Sequence, residues 1–100
     1  MDLAAIQISA RQIEQFCQKH HIRRLAFFGS VVRDDFGQHS DIDVLVEFKT
    51  GNTPGFDFFL MEAELSRLLG RKVDLHTANF LSSEIRPSVL AEAITAYELA

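Results

Sequence analysis

The 100-residue sequence is poor in several residue types: it has one cysteine, two prolines, five glycines, no tryptophan and an excess of acid over base. A single cysteine excludes an internal disulfide framework and a cysteine-cluster zinc site, so Cys17 has no chemical role by default and the chain suits a reducing compartment. No apolar run approaches the ~18 residues needed to cross a bilayer, and the start MDLAAIQISARQ lacks the basic head and unbroken apolar stretch of a signal peptide. The expected location is the cytoplasm, away from membranes. Lys and Arg number 10 against 14 Asp and Glu, for a net charge of −4. Affinity for a long nucleic acid comes mostly from basic side chains neutralising phosphates, so this balance argues against such a partner. It leaves room for a single nucleotide if a metal supplies the positive charge. With 47% hydrophobic residues, the sequence reads as one domain over residues 1–100, with no residues to spare for a separate substrate-binding lobe.

Hydrophobic spacing predicts an α/β chain in the order αβαβαβα. Ser9 and Gln12 form a capping box, with Ile8 and Ile13 placed as its hydrophobic staple. Ile13, Phe16 and Cys17 then recur on one helical face as far as His20 and His21. Arg24 to Phe28 reads as a short buried strand closed by Gly29, and Ser30 to Arg33 as one turn of helix before the polar stretch from Asp34 to Ser40. Asp41 to Phe48 is the clearest strand, with Ile42, Val44, Val46 and Phe48 on one face and Asp41, Asp43, Leu45 and Glu47 on the other. After a turn-rich loop, Phe56 to Leu69 has a helical stripe of Phe58, Met61, Leu65, Leu68 and Leu69, with Gly70 at its C-cap. Lys72 to His76 alternates as a third strand. Pro87 to Leu99 is expected to be a last helix with Leu90, Ile94 and Tyr97 as its buried ridge. Three strands covered by helices follow from this order.

The conspicuous polar residues fall at three places: Gly29-Ser30 after the first strand, Asp41 and Asp43 at the start of the second, and Asp74 inside the third. Residues two apart in a strand share a face at a spacing of about 6.6 Å, so Asp41 and Asp43 project side by side. Two carboxylates at 4 Å repel by roughly 4 kcal/mol at an effective dielectric near 20, a penalty that a divalent cation removes. Aspartates suit magnesium, and two ions about 3.5–4 Å apart clamp the attacking and leaving oxygens of a phosphoryl centre. Asp74, turned outward by the inward Val73 and Leu75, would complete such a site and could accept the proton of an attacking hydroxyl. Gly29-Ser30 supplies a strand-to-helix turn where a phosphate can approach backbone amides, with the Ser30 hydroxyl as a further donor and Arg33 one turn along.

The stretch Gly29 to Asp43, GSVVRDDFGQHSDID, resembles the nucleotidyltransferase signature of the DNA polymerase beta superfamily: Gly-Ser, ten residues, then Asp-x-Asp. Four fixed residues at that spacing would arise by chance in roughly one chain of this length in a thousand. The continuation DIDVLVEF, the helix ending LLGRKVDL and Asp74 extend the likeness over most of the chain. It is most similar to the minimal nucleotidyltransferase antitoxins encoded beside HEPN-domain ribonuclease toxins. That resemblance implies a single nucleotidyltransferase-fold domain with a small mixed sheet. It implies two magnesium ions on Asp41, Asp43 and Asp74, the triphosphate of ATP on Gly29 and Ser30, and transfer of AMP to a tyrosine hydroxyl of a cognate HEPN toxin in a hetero-oligomer. The loop departs from many members, which carry further arginines there; this one has Arg33 with the acids Asp34 and Asp35.

The other residues have blander readings. His20 and His21 suit a helix C-terminus, His39 could touch substrate, and His76 shares the parity of Asp74 as a bystander in the cleft. Arg23, Arg24, Arg71 and Lys72 read as solvated strand ends, with Arg71-Lys72 open to an acidic partner. Phe58 suits the core, leaving Phe56 or Phe59 to dock a partner, and Tyr97 reads as packing. Three activities fit these residues: an AMP-transferring antitoxin, a non-catalytic antitoxin that covers its toxin, and a free nucleotidyltransferase acting on a small molecule or RNA end. Larger relatives append a domain that grips the acceptor, so the short chain favours an acceptor brought by a protein partner.

Overall fold

A computed structural model of the chain describes residues 2–3, 6–7, 9–33, 37, 40–52, 54–78 and 81–99. Two short strands, β1 (Asp2–Leu3) and β2 (Ile6–Gln7), pair antiparallel ahead of the first helix, α1 (Ala10–Lys19). The Ser9 half of the expected capping box starts that helix: its hydroxyl accepts from the Gln12 amide at 3.3 Å, and Ile13, Phe16 and Cys17 are buried. Ile8, the other half of the expected staple, lies outside the described residues. His20 caps the C-terminus, and His21 takes a left-handed conformation (φ 58°) that turns the chain into β3 (Ile22–Phe28). Burial pushes the Cys17 thiol up to about 12, which keeps it protonated and chemically idle.

A single turn of 3₁₀ helix (Gly29–Val32) follows β3, then β4 (Ile42–Phe48), α2 (Asp57–Leu69), β5 (Val73–Thr77), α3 (Arg86–Glu92) and β6 (Ile94–Glu98). The main sheet runs β5-β4-β3-β6, with β4 and β5 parallel and the other neighbours antiparallel. Gly70 ends α2 in the left-handed region (φ 68°), as a C-cap glycine does. No helix among the described residues is long and apolar enough to cross a membrane.

The α/β class and the mixed sheet stand, while the C-terminal segment corrects the expected order. In place of one helix from Pro87 to Leu99, α3 stops at Glu92, Ala93 is extended (φ −62°, ψ 137°), and Ile94 to Glu98 form a fourth strand on the outer edge of β3. The i, i+4, i+7 spacing of Leu90, Ile94 and Tyr97 suggested a helix. The same residues include β-branched and aromatic side chains, and the edge of β3 needs hydrogen-bond partners. Leu90 and Ile94 are consequently exposed, and only Tyr97 packs against the core.

One face of the sheet packs Leu25, Phe27, Ile42, Val44, Val46, Val73 and Leu75 against Ile13 and Phe16 of α1 and Met61 and Leu65 of α2. The opposite face carries a smaller cluster of Phe28, Leu45 and Leu81, bordered by Val89 and Ala93. The alternation of β4 therefore points Asp43 away from the main core, on the side of Leu45. β5 is an edge strand, and α2 closes that edge chemically. The Val73 amide donates to the Ser66 hydroxyl at 3.0 Å, and the Leu75 amide donates to the Glu62 carboxylate at 2.8 Å. The two side chains stand one helical turn apart and hold the backbone on either side of Asp74.

Removing this acceptor leaves the Leu75 amide without its charged partner, so Glu62→Ala is expected to cost about 1–3 kcal/mol of stability in urea unfolding. Amide exchange should show Leu75 losing protection before the amides of β4.

Candidate active site

The register of the sheet assembles the site. Asp43 is paired with Asp74 on parallel β5 and with Phe28 on antiparallel β3, so the two aspartates lie on adjacent strands beside the turn that begins at Gly29. Asp41 sits one residue before β4, where the Ile42 amide donates to the Lys72 carbonyl at 2.9 Å. Gly29 has φ +76°, and a methyl group there would collide with Oδ2 of Asp43. A glycine is therefore required at this position by its backbone conformation and by the Asp43 carboxylate that occupies the space of a Cβ. The phosphate-loop candidate and the metal candidate are in direct contact.

Each carboxylate is engaged in its own way. Asp41 Oδ2 lies 3.6 Å from Lys72 Nζ, an ion-pair distance, and Asp43 Oδ1 lies 3.5 Å from His76 Nε2, too long for a good hydrogen bond. The ring of Phe28 packs edge-on to His76 at 5.3 Å, and His76 Nε2 is buried with no hydrogen-bond partner among the described residues. Burial raises the Asp43 carboxyl above its ordinary value of 3.8; His76 opposes the rise, and the negative charges of Asp74 and Asp41 add to it. No three carboxylate, thiol or imidazole groups among the described residues converge into a ready ligand set. The donors are nevertheless of the kind a divalent cation takes: hard carboxylate oxygens, with Asp43 and Asp74 on adjacent strands and Asp41 just ahead of β4.

The turn from Gly29 to Val32 places Ser30 directly after β3, as expected. The Gly29 amide is already used, since it donates to Glu92 Oε1 at 2.6 Å, while Glu92 Oε2 accepts from Arg33 Nη1 at 3.3 Å. Glu92 and Glu62 were not legible as site-supporting residues, because their partners lie 63 and 13 positions away and no local spacing marks them. Arg71 is a further correction. It donates to the carbonyls of Gly37 and Ser40 at 2.8 Å each, bracing the loop ahead of Asp41 rather than lying solvated. Arg24 likewise bonds Thr95 and Glu47 across three strands, and Arg23 bonds Glu47.

His39, Asp34 and Asp35 lie outside the described residues. His20 closes α1 and contacts Glu64 at 3.1 Å, a structural role. Phe58 packs against the core, whereas Phe56 is 91% and Phe59 70% exposed, as the helix-face reading expects. A cleft of about 670 Å³ opens beside His76 between Phe58, Phe59 and Thr77. That volume is in the range of small-molecule sites.

Residues 10–96 match the nucleotidyltransferase domain family. The protein adenylyltransferase MntA of Thermococcus cleftensis is 36% identical over 78 residues, covering 77% of this chain and 77% of that protein. A solved structure of a candidate minimal nucleotidyltransferase is 35% identical, with a TM-score of 0.71 over 85% of this chain and 86% of its own. A crystal structure of a toxin–antitoxin with AMP-PNP shares the fold, with a TM-score of 0.75 at 17% identity over 92% of this chain and 75% of that one.

Two substitutions test this geometry. Gly29→Ala is expected to destabilise the protein by about 1–3 kcal/mol, from left-handed strain and the displaced Asp43 carboxylate, as measured by chemical denaturation. Asp43→Asn should act in the opposite direction. A carboxyl with a raised folded pKa favours the folded state fully below its ordinary value of 3.8, and this advantage is lost as pH rises through the folded value. At neutral pH without divalent ions, Asp43→Asn should therefore melt higher than the wild type. Magnesium should raise the wild-type melting temperature and leave that of the variant nearly unchanged.

Proposed function

Because the chain belongs to the nucleotidyltransferase domain family, we propose that it is a protein adenylyltransferase antitoxin, which transfers AMP from ATP to a tyrosine hydroxyl on a cognate HEPN toxin in the cytoplasm. The observation that carries this reading is the contact between Gly29 and Asp43, with Asp74 next to Asp43 on β5. On this reading, the turn after Gly29 would receive the phosphates beside the carboxylates of Asp43 and Asp74. Ser30 would hold the terminal phosphates through its hydroxyl, and Arg33 would add positive charge. Asp41, Asp43 and Asp74 would hold two magnesium ions, which when bound neutralise the carboxylates and stabilise charge on the phosphoryl group. Asp74 would take the proton of the acceptor hydroxyl. The acceptor oxygen then bonds to the α-phosphorus as the bond to pyrophosphate breaks, leaving AMP esterified to the acceptor.

A protein acceptor fits the surface better than a small one. Phe56, Phe59 and Leu60 are exposed together at the start of α2, an apolar patch of the kind that partner proteins cover. The same patch supports the second reading, neutralisation by complex formation alone.

The deciding experiment mixes the purified protein with its HEPN toxin, ATP and magnesium and weighs the intact toxin. Wild type should add AMP, and Asp41→Asn and Asp43→Asn should each lower the rate at least a hundredfold, the scale of lost transition-state charge stabilisation. An undiminished adduct with either variant would overturn the assigned roles. An unmodified toxin that is still bound and silenced by Asp43→Asn would establish the complex-formation reading instead.

A further inference from the structure

Glu92 ends α3 on the side of the sheet that carries Asp43, and the register of β6 determines what it meets. Phe27 pairs with Ile94, so carrying the antiparallel ladder two residues further sets Gly29 opposite Glu92. Gly29 cannot continue the ladder, because its positive φ turns the chain out of the sheet while its amide remains in a buried position. A buried amide outside a ladder requires an acceptor. Glu92 supplies it at 2.6 Å, a short charge-assisted bond, and its second oxygen reaches Arg33. One carboxylate thus grips both ends of the turn that contains Ser30.

We propose that Glu92 is a positioning residue for nucleotide binding: it clamps the Gly29 amide and the Arg33 guanidinium, fixing the turn in the form that receives the triphosphate. The inference rests on the nucleotide-transfer reading above and deepens it. The contrary role would be a place-holder, a carboxylate occupying a phosphate position until ATP displaces it. The surroundings favour the clamp. Gly29 is buried and its amide already donates to Glu92 at 2.6 Å, so a place-holder would have to be displaced by a phosphate reaching a buried donor. Arg33, half exposed at the far end of the same turn, is tied to Glu92 at 3.3 Å. The clamp also gives β6 a purpose beyond filling an edge, since its pairing with β3 delivers Glu92 to the turn.

The test uses the full chain with magnesium and AMP-PNP as the probe, together with amide exchange of the protein alone. Glu92→Ala should weaken AMP-PNP binding about tenfold, the scale of one lost charge-assisted bond. Glu92→Gln keeps an acceptor for Gly29 and should lose only about two- to threefold, partial retention that a conservative variant shows when position matters. Glu98→Ala removes a carboxylate from the same segment that reaches Arg24 instead, and it should leave AMP-PNP affinity unchanged. Without nucleotide, Gly29 amide protection should be high in the wild type, kept in Glu92→Gln and lost in Glu92→Ala. Unchanged or tighter AMP-PNP binding by Glu92→Ala would overturn the clamp, tighter binding in favour of the place-holder. A Gly29 amide indifferent to both substitutions would overturn it without reference to nucleotide. If wild type failed to bind AMP-PNP while Gly29 protection followed Glu92 as expected, the nucleotide-transfer reading would fall, and with it the clamp's role in binding, leaving a structural brace.

Discussion

The packing of the Asp43 carboxylate against the Cα of Gly29 is the contact from which the rest of the site follows. It exists because β4 is the inner strand that runs antiparallel to β3 and parallel to β5, so one residue is in register with both the end of β3 and the middle of β5. A slip of one residue would turn Asp43 into the apolar face and Val44 out of it, separating the turn from the carboxylates. The core that resists this slip is built from Ile42, Val44 and Val46, packed under α1 and α2. Stability of the fold and assembly of the site are in this sense one requirement.

The two edges of the sheet are managed by different means, and both solutions serve the site. On the β5 edge, α2 offers Glu62 and Ser66 to the amides flanking Asp74, so the strand needs no further neighbour. On the β3 edge, β6 pairs directly and carries Glu92 to the Gly29 turn. The loop before Asp41 is held by Arg71, which bonds the carbonyls of Gly37 and Ser40. The Gly29 turn, the backbone beside Asp74 and the loop before Asp41 are thus each held by a charged residue, Glu92, Glu62 and Arg71, that takes no direct part in the proposed chemistry.

The charge balance of the chain gains meaning from this arrangement. Asp43 and Asp74 face each other on adjacent strands with Asp41 just ahead of β4, and their negative charge adds to burial in raising the Asp43 carboxyl. Lys72 offsets part of the Asp41 charge from 3.6 Å. A divalent cation would do so more completely, and a nucleotide would follow it as the counter-charge.

What could be read from residues alone were the features set by neighbours in the chain. The Ser9 cap, the Gly70 stop, the alternation of Ile42 to Phe48 and the spacing of Gly29-Ser30 from Asp41 and Asp43 depend on backbone geometry over a few residues, and the structure shows each of them. The segment after Pro87 reads as a helix because Leu90, Ile94 and Tyr97 satisfy a helical period locally, and only the unpaired edge of β3 decides for a strand. Glu62, Arg71 and Glu92 were invisible for the same reason: a hydrogen bond to a backbone group elsewhere in the chain leaves no periodic trace in the sequence. The sequence by itself determined which groups could carry the chemistry. Tertiary structure decided which of them meet and what holds them there, because strand register and edge hydrogen bonds are satisfied between segments, not within them.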